Sequence, residues 1–140
     1  MKQRVILDTG PLVALINGSD NYHRWTKLQF ANIKPPLLSC EAVVSEACFL
    51  LGNHHGGQKA VFEFLRREIL HIPFKLSEHV NQIAWLLDKY SDIPMSLADA
   101  CLVRLTELYA ESPVLTLDSD FSIYRKNKKQ IISLLSPHNR

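Results

Sequence analysis

Short apolar, β-branched or leucine-rich runs alternate with helix-patterned stretches along this chain, and that alternation limits its folds more than any other feature. Strand candidates fall at 5–7, 37–39, 70–72, 114–117 and 131–135. Helical patterns fill the intervals: a short helix at 12–16 after the Gly10-Pro11 turn, then one from about Tyr22 to the Pro35-Pro36 block, where a helix cannot continue. Further helices are expected at 41–51, 58–67, 77–90 and 95–110. The third is apolar nearly all round, so it is expected to be buried and to end at Gly52. The expectation is an α/β fold, one domain over residues 1–140, with a central, mainly parallel five-stranded sheet flanked by helices. A chain of 140 residues suits one domain with a real hydrophobic core.

Four acidic residues stand in separate segments beside apolar or turn-forming neighbours: Asp8 in VILDTGPLVAL, Glu46 in EAVVSEACFLL, Asp99 in MSLADACLVRL and Asp118 in VLTLDSDF. A charge in an apolar setting costs several kcal/mol unless it is paired or bound to a metal. Asp8 and Asp118 directly follow strand candidates, which puts both at the carboxyl edge of the sheet, where α/β folds gather ligands. Glu46 has Ala42, Val43, Phe49 and Leu50 one helical turn away, so it projects from an apolar face. Asp99 is flanked in the same way by Met95, Leu102 and Val103.

Each acid also has a local explanation. Asp8 before Thr-Gly-Pro is a turn former, Ser96-Leu97-Ala98-Asp99 is a capping box, and Asp118 and Asp120 suit the start of a short helix at 121–124. Glu46 has the weakest one: no basic residue lies within a helical turn of it, so a pairing partner would have to come from a distant part of the chain. One anionic site explains all four together.

Composition narrows the classes. Hydrophobic residues make up 46% and charged residues 21%, ordinary values for a globular domain. Sixteen Lys and Arg against 14 Asp and Glu give a net charge of +2, too mild to argue for nucleic acid alone. The three cysteines, Cys40, Cys48 and Cys101, are odd in number, widely spaced and set in apolar stretches, so they read as reduced core thiols. The start, MKQRVILDTG, has no signal-peptide pattern, and no apolar run approaches membrane-spanning length, so a cytoplasmic location is expected. An aspartyl phosphatase commonly has a second Asp two residues after the first, where this chain has Gly10. A phospho-acceptor domain would carry an Asp on a middle strand and a Lys after a late one, a pattern not found here.

VILDTGPLVAL, SEACFLL, SLADACLV and VLTLDSDF, in that order, resemble the four acidic motifs of PIN-domain ribonucleases, especially the VapC-type toxins of toxin-antitoxin pairs. The resemblance runs from Val5 to about Phe121. It implies catalytic and metal-holding roles for Asp8, Glu46, Asp99 and Asp118, with Thr9, Thr116 and Asp120 in support. At Leu117 many members have Asn. It further implies RNA cleavage leaving a 5′-phosphate, one or two Mg²⁺ or Mn²⁺ ions, a homodimer, and a small antitoxin that places a basic residue in the acidic site. Hard divalent cations suit carboxylate oxygens. An arginine fork matches clustered carboxylates as well.

The rival expectation is a catalytically inactive PIN-like module that binds RNA or protein. RNA binding calls for positive charge near the acids, and the densest cluster is Arg125, Lys126, Lys128 and Lys129. Arg24 and Lys27 are weaker candidates, and Tyr22 and Trp25 are candidate stacking residues. His54 and His55 beside Gly56-Gly57 read as an exposed loop. The surface of a helix at 22–33 is the candidate dimer face.

Overall fold

The structure, a computed structural model, describes residues 4–138. Its centre is β1 (Ile6–Leu7), flanked by β2 (Leu37–Leu38) on one side and β4 (Val114–Leu115) on the other. Outside these lie β3 (Leu70–His71) and β7 (Leu134–Leu135), giving a five-stranded sheet in the order β3-β2-β1-β4-β7 with every pairing parallel. Residues of the three inner strands are all buried. That is why these strands read as continuous apolar runs rather than as alternating ones.

Among the described residues six α-helices connect the strands: α1 (Thr9–Ile16), α2 (His23–Ala31), α3 (Glu41–Leu50), α4 (Gly57–Arg66), α5 (Val80–Lys89) and α6 (Leu97–Leu108). α6 packs on β1, α3 and α5, and contributes Ala98, Ala100, Cys101, Leu102, Val103 and Leu105 to the core. No helix among the described residues is long and apolar enough to cross a membrane.

Four local expectations are corrected. α1 begins at Thr9, directly after the strand, because Asp8 caps it; Gly10 and Pro11 lie inside its first turn, where a proline has no helical hydrogen bond to lose. Residues 77–90 do not form one helix: a 3-10 turn at Leu76–Glu78 precedes α5. The run 131–135 is not one strand. Gln130–Ile131 (β6) folds back antiparallel on Arg125–Lys126 (β5), Ile132 enters the core, and only Leu134–Leu135 joins the main sheet. Finally, α3 is not buried all round, since Phe49 is 83% exposed and Leu50 60% exposed. Only its Val43 and Ala47 side is buried, because α3 meets its neighbours α1, α4 and α6 on one face.

Leu102 is fully buried on α6, whereas Leu108 on the last turn is 44% exposed. Leu102→Ala is expected to lower unfolding free energy by about 2–5 kcal/mol through lost burial and a residual cavity. Leu108→Ala should cost less than about 1 kcal/mol, half-exposed as it is. Urea unfolding of the two variants checks the difference; equal losses would mean that the core is not centred on α6.

Candidate carboxylate site at the carboxyl edge of the sheet

Asp8 is the residue directly after β1, and it is buried. One carboxylate oxygen, Oδ1, accepts the Thr9 backbone N–H at 2.7 Å, and Oδ2 accepts the Thr116 hydroxyl at 2.7 Å. Thr116 follows β4, so this contact ties the ends of two adjacent central strands across 108 residues of sequence. The Thr116 oxygen in turn accepts the Asp118 N–H at 2.9 Å. Asp118 caps the 3-10 turn Ser119–Ser122 by accepting the Asp120 N–H on Oδ1.

Asp99 arrives from the first turn of α6. The capping box is real: the Ser96 hydroxyl accepts the Asp99 N–H at 3.0 Å, and Asp99 Oδ2 accepts the Ser96 N–H at 3.4 Å. The same Oδ2 also accepts the hydroxyl of Tyr124, a fully buried residue, at 3.0 Å. Asp8, Asp99 and Asp118 each stand at the start of a helical segment, and each is within electrostatic reach of the other two. Helix starts favour negative charge, so the two roles are compatible.

Glu46 corrects an expectation. It is exposed, not buried, because Phe49 and Leu50 beside it face outward as well. It still reaches the site: Thr9, next to Asp8, donates its hydroxyl to Glu46 Oε1 at 2.8 Å. Thr9 thus links α1 to α3 at the same edge.

Burial pushes the Asp8 carboxyl up from 3.8 to about 7. The Thr116 and Thr9 hydrogen bonds oppose that rise, while the charges of Asp99 and Asp118 add to it. Asp99 is also raised, chiefly by burial, with the Tyr124 hydrogen bond opposing and Asp118 adding. Burial, then the Asp99 carboxylate, raises the Tyr124 hydroxyl in turn. The ion pairs among the described residues, Glu63 with Arg66 and Arg67 and Arg104 with Glu107, involve none of the four acids. The donor set is all carboxylate oxygen, in no ion pair among the described residues, which in kind fits a hard divalent cation. Among the described residues no three acidic, His or Cys side chains stand close enough to enclose an ion as they are.

The remaining sequence candidates fall elsewhere. Arg125 donates from Nη1 to the carbonyls of Ser122, Ile123 and Tyr124, and Lys126 Nζ donates to the carbonyl of Ala110, so both are engaged by backbone. Lys128 lies over the Trp85 ring and Lys129 is exposed. Arg24 and Lys27 are exposed on α2; Trp25 packs against the core, and Tyr22 meets the His138 ring edge-on. His54 and His55 lie in the loop before α4. Leu117 sits against Gly10, whose missing Cβ leaves room for it: a Cβ there would meet Leu117 at 3.3 Å. Sequence reasoning missed Tyr124. A tyrosine six residues beyond Asp118 carries no local sign of a partner 25 residues away.

The PIN domain family model matches residues 5–127. The chain belongs to the PIN-domain family. The crystal structure of Mycobacterium tuberculosis VapC20, described as a Sarcin-Ricin loop cleaving toxin, is similar to this PIN domain. The TM-score is 0.73, over 85% of this chain and 93% of that one, at 20% identity. No curated protein matches the chain by sequence.

The raised Asp8 carboxyl sets a direction for stability with pH. The folded PIN domain keeps a proton on Asp8 that the unfolded chain loses near 3.8, so this contribution is full below 3.8 and is lost as pH rises through about 7. The whole difference amounts to about 4 kcal/mol at most. Without divalent cations, the melting temperature is expected to fall between about pH 5 and pH 8, and Asp8→Asn should flatten the fall. Thermal melts of both proteins in chelator across that range check it; parallel curves would mean that Asp8 is not held against its charge.

Proposed function

We propose that this PIN domain is a metal-dependent endoribonuclease that hydrolyses RNA phosphodiester bonds and acts as the toxin of a toxin-antitoxin pair. The observation that carries the reading is the set of three carboxylates, Asp8 after β1, Asp99 in the first turn of α6 and Asp118 at the cap of the 3-10 turn, whose charges act on one another and which form no ion pair among the described residues. Asp8, Asp99 and Asp118 would hold one or two Mg²⁺ or Mn²⁺ ions, with Glu46 at the rim. When bound, such an ion neutralises developing charge on the phosphate and lowers the pKa of water.

The chain's own residues do the positioning. Thr116 and the Thr9 N–H clamp both oxygens of Asp8, so that carboxylate cannot rotate. Tyr124 and the Ser96 cap hold Asp99, and Asp120 holds Asp118 through its N–H. Glu46, exposed and oriented by the Thr9 hydroxyl, accepts the proton of the attacking water. Water adds to phosphorus in line, the bond to the 3′ oxygen breaks, and that oxygen takes a proton from solvent, so the products are a 3′-hydroxyl and a 5′-phosphate.

A VapC-type fold and a PIN-family sequence support this reading, as does the Sarcin-Ricin loop cleaving description of VapC20. Residues 1–140 act as one unit in the cytoplasm, as a homodimer, and a small antitoxin neutralises the carboxylates with a basic side chain. Asp8→Asn and Asp99→Asn are each expected to lower RNA cleavage about 100-fold or more, since even supporting residues of a metal site cost about 10- to 100-fold. Excess chelator should abolish cleavage, and Mn²⁺ or Mg²⁺ should restore it. Gel analysis of a structured RNA with 5′-end mapping of the products decides; undiminished cleavage in chelator would sink the reading. Calorimetric metal binding without any cleavage would favour the inactive binding module.

A further inference from the structure

A second feature lies on the α5–α6 side of the molecule, beyond the carboxylates. A cleft of about 340 Å³ is lined by Asn81, Gln82, Trp85, Leu86, Asn127 and Lys128, with Arg104 and Glu107 at its wall. Trp85 is 39% exposed although it sits on an otherwise amphipathic helix. Lys128 Nζ lies 5.2 Å from its ring centre and Lys89 Nζ 5.7 Å. Among the described residues neither ammonium is in an ion pair.

This arrangement is built, not incidental. Asn127 and Lys128, at φ 50° and 71°, occupy left-handed backbone that residues other than glycine adopt at a cost. Glu107 holds the turn there: its Oε2 accepts the Asn127 N–H at 2.7 Å, while its Oε1 accepts Arg104 Nη1 at 2.9 Å in a largely buried pair. The Asn127 amide also donates to Gln130 Oε1 across the hairpin. The result of this bracing is that Lys128 is delivered over Trp85.

The cleft is also connected to the carboxylates. Tyr124, which donates to Asp99, meets the ring of Tyr90 edge-on at 5.1 Å. The Tyr90 hydroxyl accepts the Arg125 N–H at the start of the hairpin, and Lys89 lies 5.6 Å from the Tyr90 ring as well as over Trp85. A file of aromatic and cationic side chains thus runs from Asp99 to Trp85.

We infer that the Trp85 cleft is a substrate-positioning site for single-stranded RNA: one unpaired base stacks on Trp85, flanking phosphates take Lys128 and Lys89, and Gln82 and Asn81 face the base edge. An indole face with two unpaired cations and side-chain amides has the chemistry of a nucleotide platform. Stacking of a base on an aromatic face is stronger than an exposed cation–π contact, so an entering base displaces the ammonium groups and their attraction shifts to its phosphates. Identifying the strand as the substrate rests on the ribonuclease reading; the binding itself does not.

Binding is therefore measured apart from cleavage, in an Asp8→Asn background, by anisotropy of a labelled ten-nucleotide single-stranded RNA. Adding Trp85→Ala is expected to weaken binding by about 5- to 100-fold, and Trp85→Phe, which keeps an aromatic face, should retain most of it. Lys128→Ala, a change confined to the exposed turn, should reduce the dependence of log affinity on log salt by about one ion. Unchanged affinity in Trp85→Ala together with an unchanged salt slope in Lys128→Ala overturns the inference. So does a duplex of the same sequence that depends on Trp85 as strongly as the single strand, or an acidic peptide that competes as well as RNA. If the wild-type protein cleaves no RNA yet these variants lose binding, the platform stands and the ribonuclease reading falls.

Discussion

The hydrogen bond from Thr116 to Asp8 joins the ends of β4 and β1, and the candidate site depends on it. A carboxylate at the end of a fully buried central strand has no water to turn to, so its orientation is set by whatever donors the fold supplies. Thr116 supplies one and the first backbone N–H of α1 the other. Because Thr116 also accepts the Asp118 N–H, the same hydroxyl sets the position of the next acid. One side chain thus couples two strands, a helix start and two carboxylates.

The local and the functional accounts of these acids turn out to be the same account. Asp8, Asp99 and Asp118 all stand where helical segments begin, each accepting a backbone N–H as an ordinary cap does. Capping accounts for their rotamers but not for their proximity. Three caps that would each be stabilising alone become mutually repulsive when brought together, and the raised Asp8 carboxyl records that together with the stronger effect of burial. Among the described residues no ion pair offsets this negative charge, and that is the imbalance the proposed ion would relieve.

Much of this was legible beforehand. The five strand positions, the parallel sheet and the ends of most helices follow from apolar runs and from Pro and Gly punctuation. The capping box at Ser96 could be read directly. Two of the errors share one cause. Helix α3 was expected to be buried because it is apolar, and Glu46 with it, yet Phe49 and Leu50 face outward. The run at 131–135 was expected to be one strand, yet its first residue pairs with Arg125 in a hairpin. In both places the residues suit either outcome, and only the neighbours available in three dimensions choose between them.

The sequence by itself determined the α/β class, the placement of Asp8 directly after a strand, of Asp118 at the start of a short helical turn and of Asp99 in the first turn of a helix, because these rest on local periodicity, capping and strand termination. The tertiary structure decided what those placements amount to. It brought Thr116 within 2.7 Å of Asp8, set Tyr124 on Asp99, turned Glu46 outward on a Thr9 hydrogen bond, and braced Lys128 over Trp85. These contacts join residues far apart in the chain, and their formation depends on how whole helices and strands pack. No window of neighbouring residues contains that information.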